Sequence, residues 1–369
     1  MKKIVIIEPY YGGSHKAFID GLLKNLPAVF TLHTLPARKW KWRMRLAAPC
    51  FAAQVQGGEL ELSAVDCILC SPFLDVAAFR GLLPPAFRTL PIYTYFHENQ
   101  FAYPVQVNDK RDFHFALTNL TTALASDRLA FNSQYNFSSF LEGCRGLLGK
   151  MPDMALPGWE ERLRAKTTIL HPPLDFREID ALSGPLRNNP EPLLLWNHRW
   201  EHDKNPELFF AALFALQREG VPFRVIVAGE SFLRQPKIFA EARIRLADRI
   251  EHFGYVESRQ DYIALLTRAD LIISTARHEF YGIAVLEAVR AGCRPLLPNS
   301  LSYPELFPAD FLYKEDNLLP DLRKCLRKTD SIDGRKLTDK FSWPSLREDY
   351  CRWLGLNRKQ KTGDRRQYS

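Results

Sequence analysis

The sequence has no uncharged run of the ~20 apolar residues that a membrane-spanning helix needs, so stable membrane insertion is not expected. A secretory leader is not expected either. MKKIVIIEPYYGG starts basic, but its apolar run breaks at Glu8 and enters a glycine turn, not a small-residue cleavage site. The seven cysteines are scattered and odd in number, which argues against a disulfide framework and for a reducing cytoplasm. Cys67 and Cys70 form a C-x-x-C inside the apolar run VDCILCS; with no second ligand pair, this reads as a buried strand, not a metal or redox site. The G-x-G-x-x-G of dinucleotide folds is also missing.

What is present suits a two-domain globular protein. The chain has 369 residues, too many for one ordinary core. Its 46% hydrophobic and 25% charged residues argue against disorder. The formal net charge of +8 favours polyanionic partners: nucleic acid, anionic lipid or phosphorylated substrates. The excess is uneven, concentrated in the first sixty residues and in the tail NRKQKTGDRRQYS, which reads as disordered.

Short apolar strands alternate with amphipathic helices. KIVIIE, DCILCS, PIYTYFHE, RLAFNS and TTILHPPLD read as strands, with helices over His15 to Leu26, Phe113 to Ala125 and Gln134 to Leu148. ALSGPLRNNPEP, residues 181–192, breaks this rhythm and reads as a linker. LLLWNHR, FRVIVAGE, EHFGYV, LIISTAR and RPLLPN then form a second series, with helices opening at Pro206 and at Gly282. WPSLREDYCRWLG reads as a last amphipathic helix. The expected architecture is α/β, with two doubly wound parallel-sheet domains facing a cleft. Their bounds are 1–180 and 193–345, followed by a helix and basic tail over 346–369.

Four polar constellations fall at strand ends, where ligands of such sheets bind. In EPYYGGSHK, Gly12 and Gly13 would let backbone N–H groups approach a phosphate, or make a plain tight turn. In YFHENQFAYP, residues 95–104, His97 and Glu98 directly follow a buried strand; His97 is a cleft residue or a satisfied strand-end histidine. In NHRWEHDKNPELFF, Arg199 and Lys204 offer two fixed cations to a diphosphate unless the loop is merely solvated. In HEFYGIAVLEAVRAGCRPLLPN, Glu279 and Glu287 are eight apart, and Gly282 opens a helix whose N-terminus would face phosphate.

Together, the E-x7-E pattern, the Arg/Lys loop, the glycine turn and the alternation resemble the retaining glycosyltransferases of group 1, also called family 4. That resemblance implies the GT-B fold and a nucleotide-sugar donor, with no cofactor and no bound metal. It implies that Arg199 and Lys204 hold the donor diphosphate and stabilise its departure. Glu287 would hold the ribose, and Glu279 the sugar hydroxyls. The N–H groups of Phe280, Tyr281, Gly282 and Ile283 would meet diphosphate or sugar. Gly12 and Gly13 would approach the donor from the other domain, and His97 would meet the sugar from the acceptor side. No protein nucleophile is implied; the leaving phosphate would help deprotonate the acceptor.

One stretch falls outside that general pattern. LPARKWKWRMR places Arg38, Lys39, Lys41, Arg43 and Arg45 around Trp40 and Trp42. With YGGSHK, YFHENQ, FNSQYNFSSFL, NHRWEHDKNPE and HEFYGIAVLE, it resembles a narrower family, the tRNA-queuosine alpha-mannosyltransferases. That resemblance implies GDP-mannose as donor and the cyclopentene of queuosine, at the wobble position of the tRNA for aspartate, as acceptor. The cations would then hold anticodon phosphates while the tryptophans stack on splayed bases, with Glu98 and Asn99 beside the acceptor. Three other readings compete. The tryptophans would instead line the buried face of a strand. A membrane surface carrying a lipid or lipopolysaccharide acceptor would also attract this segment, although Pro36 and Pro49 bound it as short. An RNA adaptor without catalysis would not need His97, Arg199, Lys204, Glu279 and Glu287 together.

Overall fold

In a computed structural model, residues 1–102, 113–150, 153–182, 189–231, 235–314, 317–327 and 332–356 are described. The basic tail, Tyr103 and Pro104 of the YFHENQFAYP stretch, and residues 183–188 of the expected linker lie outside them.

Two six-stranded parallel sheets carry the molecule. The first is built from β1 (Lys3–Tyr11), β2 (Val29–Pro36), β3 (Cys67–Cys70), β4 (Ile92–Phe96), β5 (Arg128–Phe131) and β6 (Thr167–Ile169), in the order β2-β1-β3-β4-β5-β6. The second is built from β7 (Leu193–Trp196), β8 (Arg224–Ala228), β9 (Ile250–Gly254), β10 (Leu271–Ile273), β11 (Arg294–Pro298) and β12 (Leu312–Tyr313), in the order β12-β11-β10-β7-β8-β9. Strands β3, β4 and β7 are buried throughout, as expected of strands covered by helices on both faces. The order reverses beside β1 and beside β7, and such switch points leave a crevice at the carboxyl ends of the strands. Cys67 and Cys70 face apolar surroundings in β3, where burial pushes their thiols up to about 11 and about 12, so both stay protonated.

The basic segment differs from its expected form. Pro49 does not end it: a helix runs from Trp40 to Gly57 with Pro49 inside. Pro49 lies on the exposed face, while Met44, Ala47, Ala48, Phe51, Ala52 and Val55 recur at helical spacing and are buried. Burying that face outweighs the ~3 kcal/mol that an interior proline costs. Trp40 and Trp42 therefore do not line a strand. The start of the expected linker differs too, since the helix Arg177–Leu182 takes in Ala181 and Leu182.

The chain returns to its first half at the end. The helix Trp343–Leu354 buries Trp343, Tyr350, Trp353 and Leu354 with Ile4, Ile6, Phe18 and Tyr95 of the first domain. Gly21 makes this approach possible, because a Cβ there would lie 2.6 Å from the Trp343 ring. The two halves also touch at the cleft rim. Ser133 Oγ donates to the Phe280 carbonyl at 2.6 Å, and the Glu305 carboxylate accepts from the N–H groups of Gln134 and Tyr135 at 2.8 and 3.2 Å. The His171 and Tyr281 rings stack at 5.4 Å.

Trp343 is only 6% exposed, so Trp343→Ala is expected to cost ~3–5 kcal/mol by chemical denaturation. A loss below ~1 kcal/mol would show that the last helix is not part of the first core.

Candidate active site

The second domain supplies a cluster of buried charge. Past β7 the chain makes a short turn over His202–Lys204, which carries the Lys204 side chain inward at 7% exposure. Its ammonium donates to the His278 carbonyl at 2.6 Å and lies 3.2 Å from Asp203 Oδ2 and 3.4 Å from Glu279 Oε2. Burial opposes the charges, but the pairing outweighs it. Lys204 is raised above its ordinary value, Glu279 is lowered, and Asp203 falls well below the usual carboxylate range. Two bonds to backbone carbonyls join the same loops: Thr275 Oγ1 donates to the Lys204 carbonyl at 2.8 Å, and the Arg277 N–H donates to the Asp203 carbonyl at 2.8 Å. Glu279 lies in the loop beyond β10, not at the strand end itself, and its Oε1 accepts the Tyr281 N–H at 3.4 Å.

Arg199 stands at the rim, its side chain half exposed, 3.2 Å from Glu201. Beside it, His198 is buried and pushed down to about 4, by burial first and then by the Lys204 cation. Among the described residues, buried His198 Nε2 and Asn197 Oδ1 have no hydrogen-bond partner, so this floor holds unused polar capacity. Gly282 takes a left-handed conformation (φ 100°) that opens the helix Ile283–Arg290, and Phe280, Tyr281 and half-buried Ile283 surround that opening. The first N–H groups of a helix have no carbonyl within it to bond and carry its positive end. Glu287 lies in this helix but is paired with Arg259 at 2.7 Å.

The first domain faces this cluster with a buried carboxylate of its own. Glu8, 1% exposed, accepts from the Tyr10 N–H at 2.8 Å and Ser71 Oγ at 3.0 Å, and meets His15 Nδ1 at 3.2 Å. The His97 ring lies 4.2 Å from that of His15. Burial, and then the neighbouring His15, hold His97 well below the ordinary imidazole value. Burial raises the Glu98 carboxyl. Gly12 and Gly13 make the turn between β1 and the next helix. A Cβ on Gly12 would lie 2.4 Å from that of Ala37, and Gly13 is left-handed (φ 51°).

The basic helix reaches this floor through rings. Trp40 is half-buried, with Phe115 at 5.2 Å and Phe73 at 6.5 Å, and Phe73 meets the His15 ring at 5.4 Å. Trp42 is 59% exposed. Lys39 and Lys41 are exposed, Lys41 over the Trp40 ring, and Arg38 is exposed in the preceding turn. Arg43 donates to the Pro36 carbonyl, and Arg45 lies over Phe115. One expected acceptor residue has a different job. Asn99 is fully buried; its amide donates to Asn136 and Ser139, and its oxygen accepts from the Phe101 and Ala102 N–H groups. It holds the loop after β4 and has no surface to offer a ligand.

Comparison with known proteins agrees with this architecture. Residues 3–174 match the family model "tRNA-queuosine alpha-mannosyltransferase N-terminal", and residues 181–314 match "Glycosyl transferases group 1". The tRNA-queuosine alpha-mannosyltransferase of Drosophila melanogaster is 37% identical over 324 residues, 86% of this chain and 84% of that protein. The chain belongs to the tRNA-queuosine alpha-mannosyltransferase family. It is a glycosyltransferase. A GDP-mannose-dependent alpha-(1-6)-phosphatidylinositol dimannoside mannosyltransferase of Mycobacterium tuberculosis (strain ATCC 25177 / H37Ra) is 29% identical over 121 residues, 32% of this chain and 30% of that protein. The fold is GT-B. The crystal structure of Anabaena Alr3699/HepE in complex with UDP superimposes with a TM-score of 0.66 at 13% identity, covering 97% of this chain and all of that one.

Sequence reasoning missed Glu8, His15, Asp203 and Arg259 as members of these clusters. Glu8 carried a signal, a lone carboxylate in the apolar run of β1; the others became visible only through their contacts.

Lys204→Ala would leave Asp203 and Glu279 buried without their cation, at an expected cost of ~3–5 kcal/mol near neutral pH. Both carboxyls sit below their ordinary values, so their stabilising contribution exists above the carboxylate range and is lost as pH falls through the folded values. The gap between mutant and wild type should therefore hold near neutral pH and narrow as pH falls below about 5, toward the folded carboxyl values. A constant gap in denaturation experiments would mean that the ammonium does not hold these carboxylates.

Proposed function

We propose that this enzyme transfers mannose from GDP-mannose to the cyclopentene hydroxyl of queuosine, at the wobble position of the tRNA for aspartate, with retention at the sugar carbon. The observation that carries the acceptor is the 37% identity over 86% of the chain with a relative named for that activity. The donor is supported by the name of the partial mycobacterial relative, GDP-mannose-dependent, and by the cations Arg199 and Lys204 in one loop, which suit a diphosphate.

In this reading, Lys204, Arg199 and the start of the helix Ile283–Arg290 stabilise negative charge on the departing diphosphate. The cations make a metal unnecessary. Glu279, anchored by Lys204, holds sugar hydroxyls beside the reacting carbon. Glu287 exchanges Arg259 for the ribose. His97 and Glu98 face sugar and acceptor from the other domain, and the leaving phosphate takes the acceptor proton. The cations from Arg38 to Arg45 hold tRNA phosphates, while Trp42 is the ring free to stack on a base.

The second reading, a lipid acceptor at a membrane surface, has one observation in its favour: Trp42 and Leu46, one turn apart, are both exposed among cations. The rest of that helix's apolar face is spent in the core, which leaves little to enter a bilayer. Among the described residues, no helix is long and apolar enough to cross a membrane.

Purified enzyme with total tRNA and a panel of labelled nucleotide sugars is expected to label only queuosine-containing tRNA, and only from GDP-mannose. Glu279→Ala should abolish that signal in a protein that stays folded. Label in tRNA lacking queuosine, or in lipid alone, would overturn the acceptor. Trp42→Ala should weaken tRNA binding by ~1–3 kcal/mol with little change in stability. Trp40→Ala should instead lower the melting temperature, because its ring rests on Phe115 and Phe73. Equal effects of the two on binding alone would contradict the separate roles.

A further inference from the structure

Glu8 occupies an unusual position. It lies in β1, the strand at the switch point of the first sheet, where it accepts from the Tyr10 N–H and Ser71 Oγ and meets His15. A buried carboxylate costs several kcal/mol in ordinary domains unless paired, so its retention in an otherwise apolar strand calls for a job. Its partner His15 is 5% exposed and in turn lies against His97. Phe18 and Tyr95 meet the His97 ring edge-on at 4.8 and 4.7 Å, and its backbone carbonyl accepts from Asn132 Nδ2 at 2.7 Å. His97 is thus gripped by rings on three sides and anchored at its backbone, while remaining half-open to the cleft.

We infer that Glu8 and His15 are positioning residues, a buried carboxylate–imidazole pair that fixes the His97 ring and keeps it uncharged beside the sugar. The inference rests on the reading of His97 as a sugar-side residue. Burial disfavours a charge on His15, but the Glu8 carboxylate outweighs it and raises His15. Burial opposes a second proton on His97, and a cation one ring away opposes it further. An uncharged His97 retains a lone pair for a hydroxyl and does not repel the positive charge that develops on the sugar.

The charged and titratable groups facing His97 come from several elements. Glu8 lies in β1, His15 in the following helix, Tyr95 in β4, Glu98 beside it, and Tyr350 in the last helix against Tyr95. Arg199 and His278 act on Glu98 from the opposite domain. Among the described residues that face His97, Glu8 with His15 forms a buried pair in ring contact with it, so the pair adds an electrostatic control to the larger effect of burial.

The test is His97 titration, read from ring carbon signals of histidine-labelled protein and assigned by comparison with His97→Gln, with neither donor nor acceptor present. In wild type, His97 should stay neutral throughout the range in which an ordinary histidine titrates. In Glu8→Gln, which keeps shape but removes the charge, its midpoint should rise by about one pH unit or more, and the acid limb of the transfer rate should move by the same amount. His15→Gln should act in the same direction if Glu8→Gln does not fold. A His97 midpoint unmoved in both variants would overturn the inference, whatever happens to rate or stability. Because the titration needs no substrate, that failure is distinct from a failure of the queuosine reading.

Discussion

The ammonium of Lys204 has to stay charged where little water reaches it, and the second half of the site follows from how that is achieved. Two carboxylates and a backbone carbonyl surround it. Each comes from the loop after β7 or the loop after β10, so the charge cluster and the loop geometry are one object. The same contacts fix Glu279, and through its bond to the Tyr281 N–H they set the start of the helix beyond Gly282. A buried pair of this kind is a poor source of stability in itself. Its value is placement: a cation and a carboxylate are held at fixed distance, as the proposed seats for a diphosphate and a sugar require.

The first half repeats the device with different groups. Glu8 is more deeply buried than Glu279, its partner is an imidazole, and the consequence reaches His97 through ring contact, not through a hydrogen bond. The domains then meet through Ser133 and Glu305, whose partners are the Phe280 carbonyl and the N–H groups that open the helix Gln134–Leu148. Phe280 neighbours Glu279, so a contact that closes the cleft also touches the loop expected to hold the donor. The last helix adds a second tether by packing on the first sheet beside Gly21.

Much of this was legible in the sequence, for identifiable reasons. Helices such as Phe113–Ala125 and Gln134–Leu148 have strong local periodicity, and the apolar runs of β3, β4 and β7 leave little alternative to buried strands. The basic helix was not legible, because Pro49 reads locally as a stop and only the packing of Met44 through Val55 shows why it is tolerated. Asn99 looked like a cleft residue because it follows His97 and Glu98; its burial depends on Asn136 and Ser139, far along the chain. In the same way, Lys204 and Glu279 could be singled out by motif, but the pairings of Lys204 with Asp203 and of Glu287 with Arg259 are consequences of folding.

The central claim is that the paired charges of the second domain form a seat for a nucleoside diphosphate. A crystal structure of the enzyme with bound GDP tests it most directly. The account predicts the diphosphate against Arg199, Lys204 and the start of the helix at Ile283, with the ribose hydroxyls on Glu287 and Arg259 released from it. A diphosphate bound away from Lys204, or a ribose elsewhere with the Arg259–Glu287 pair intact, would contradict it.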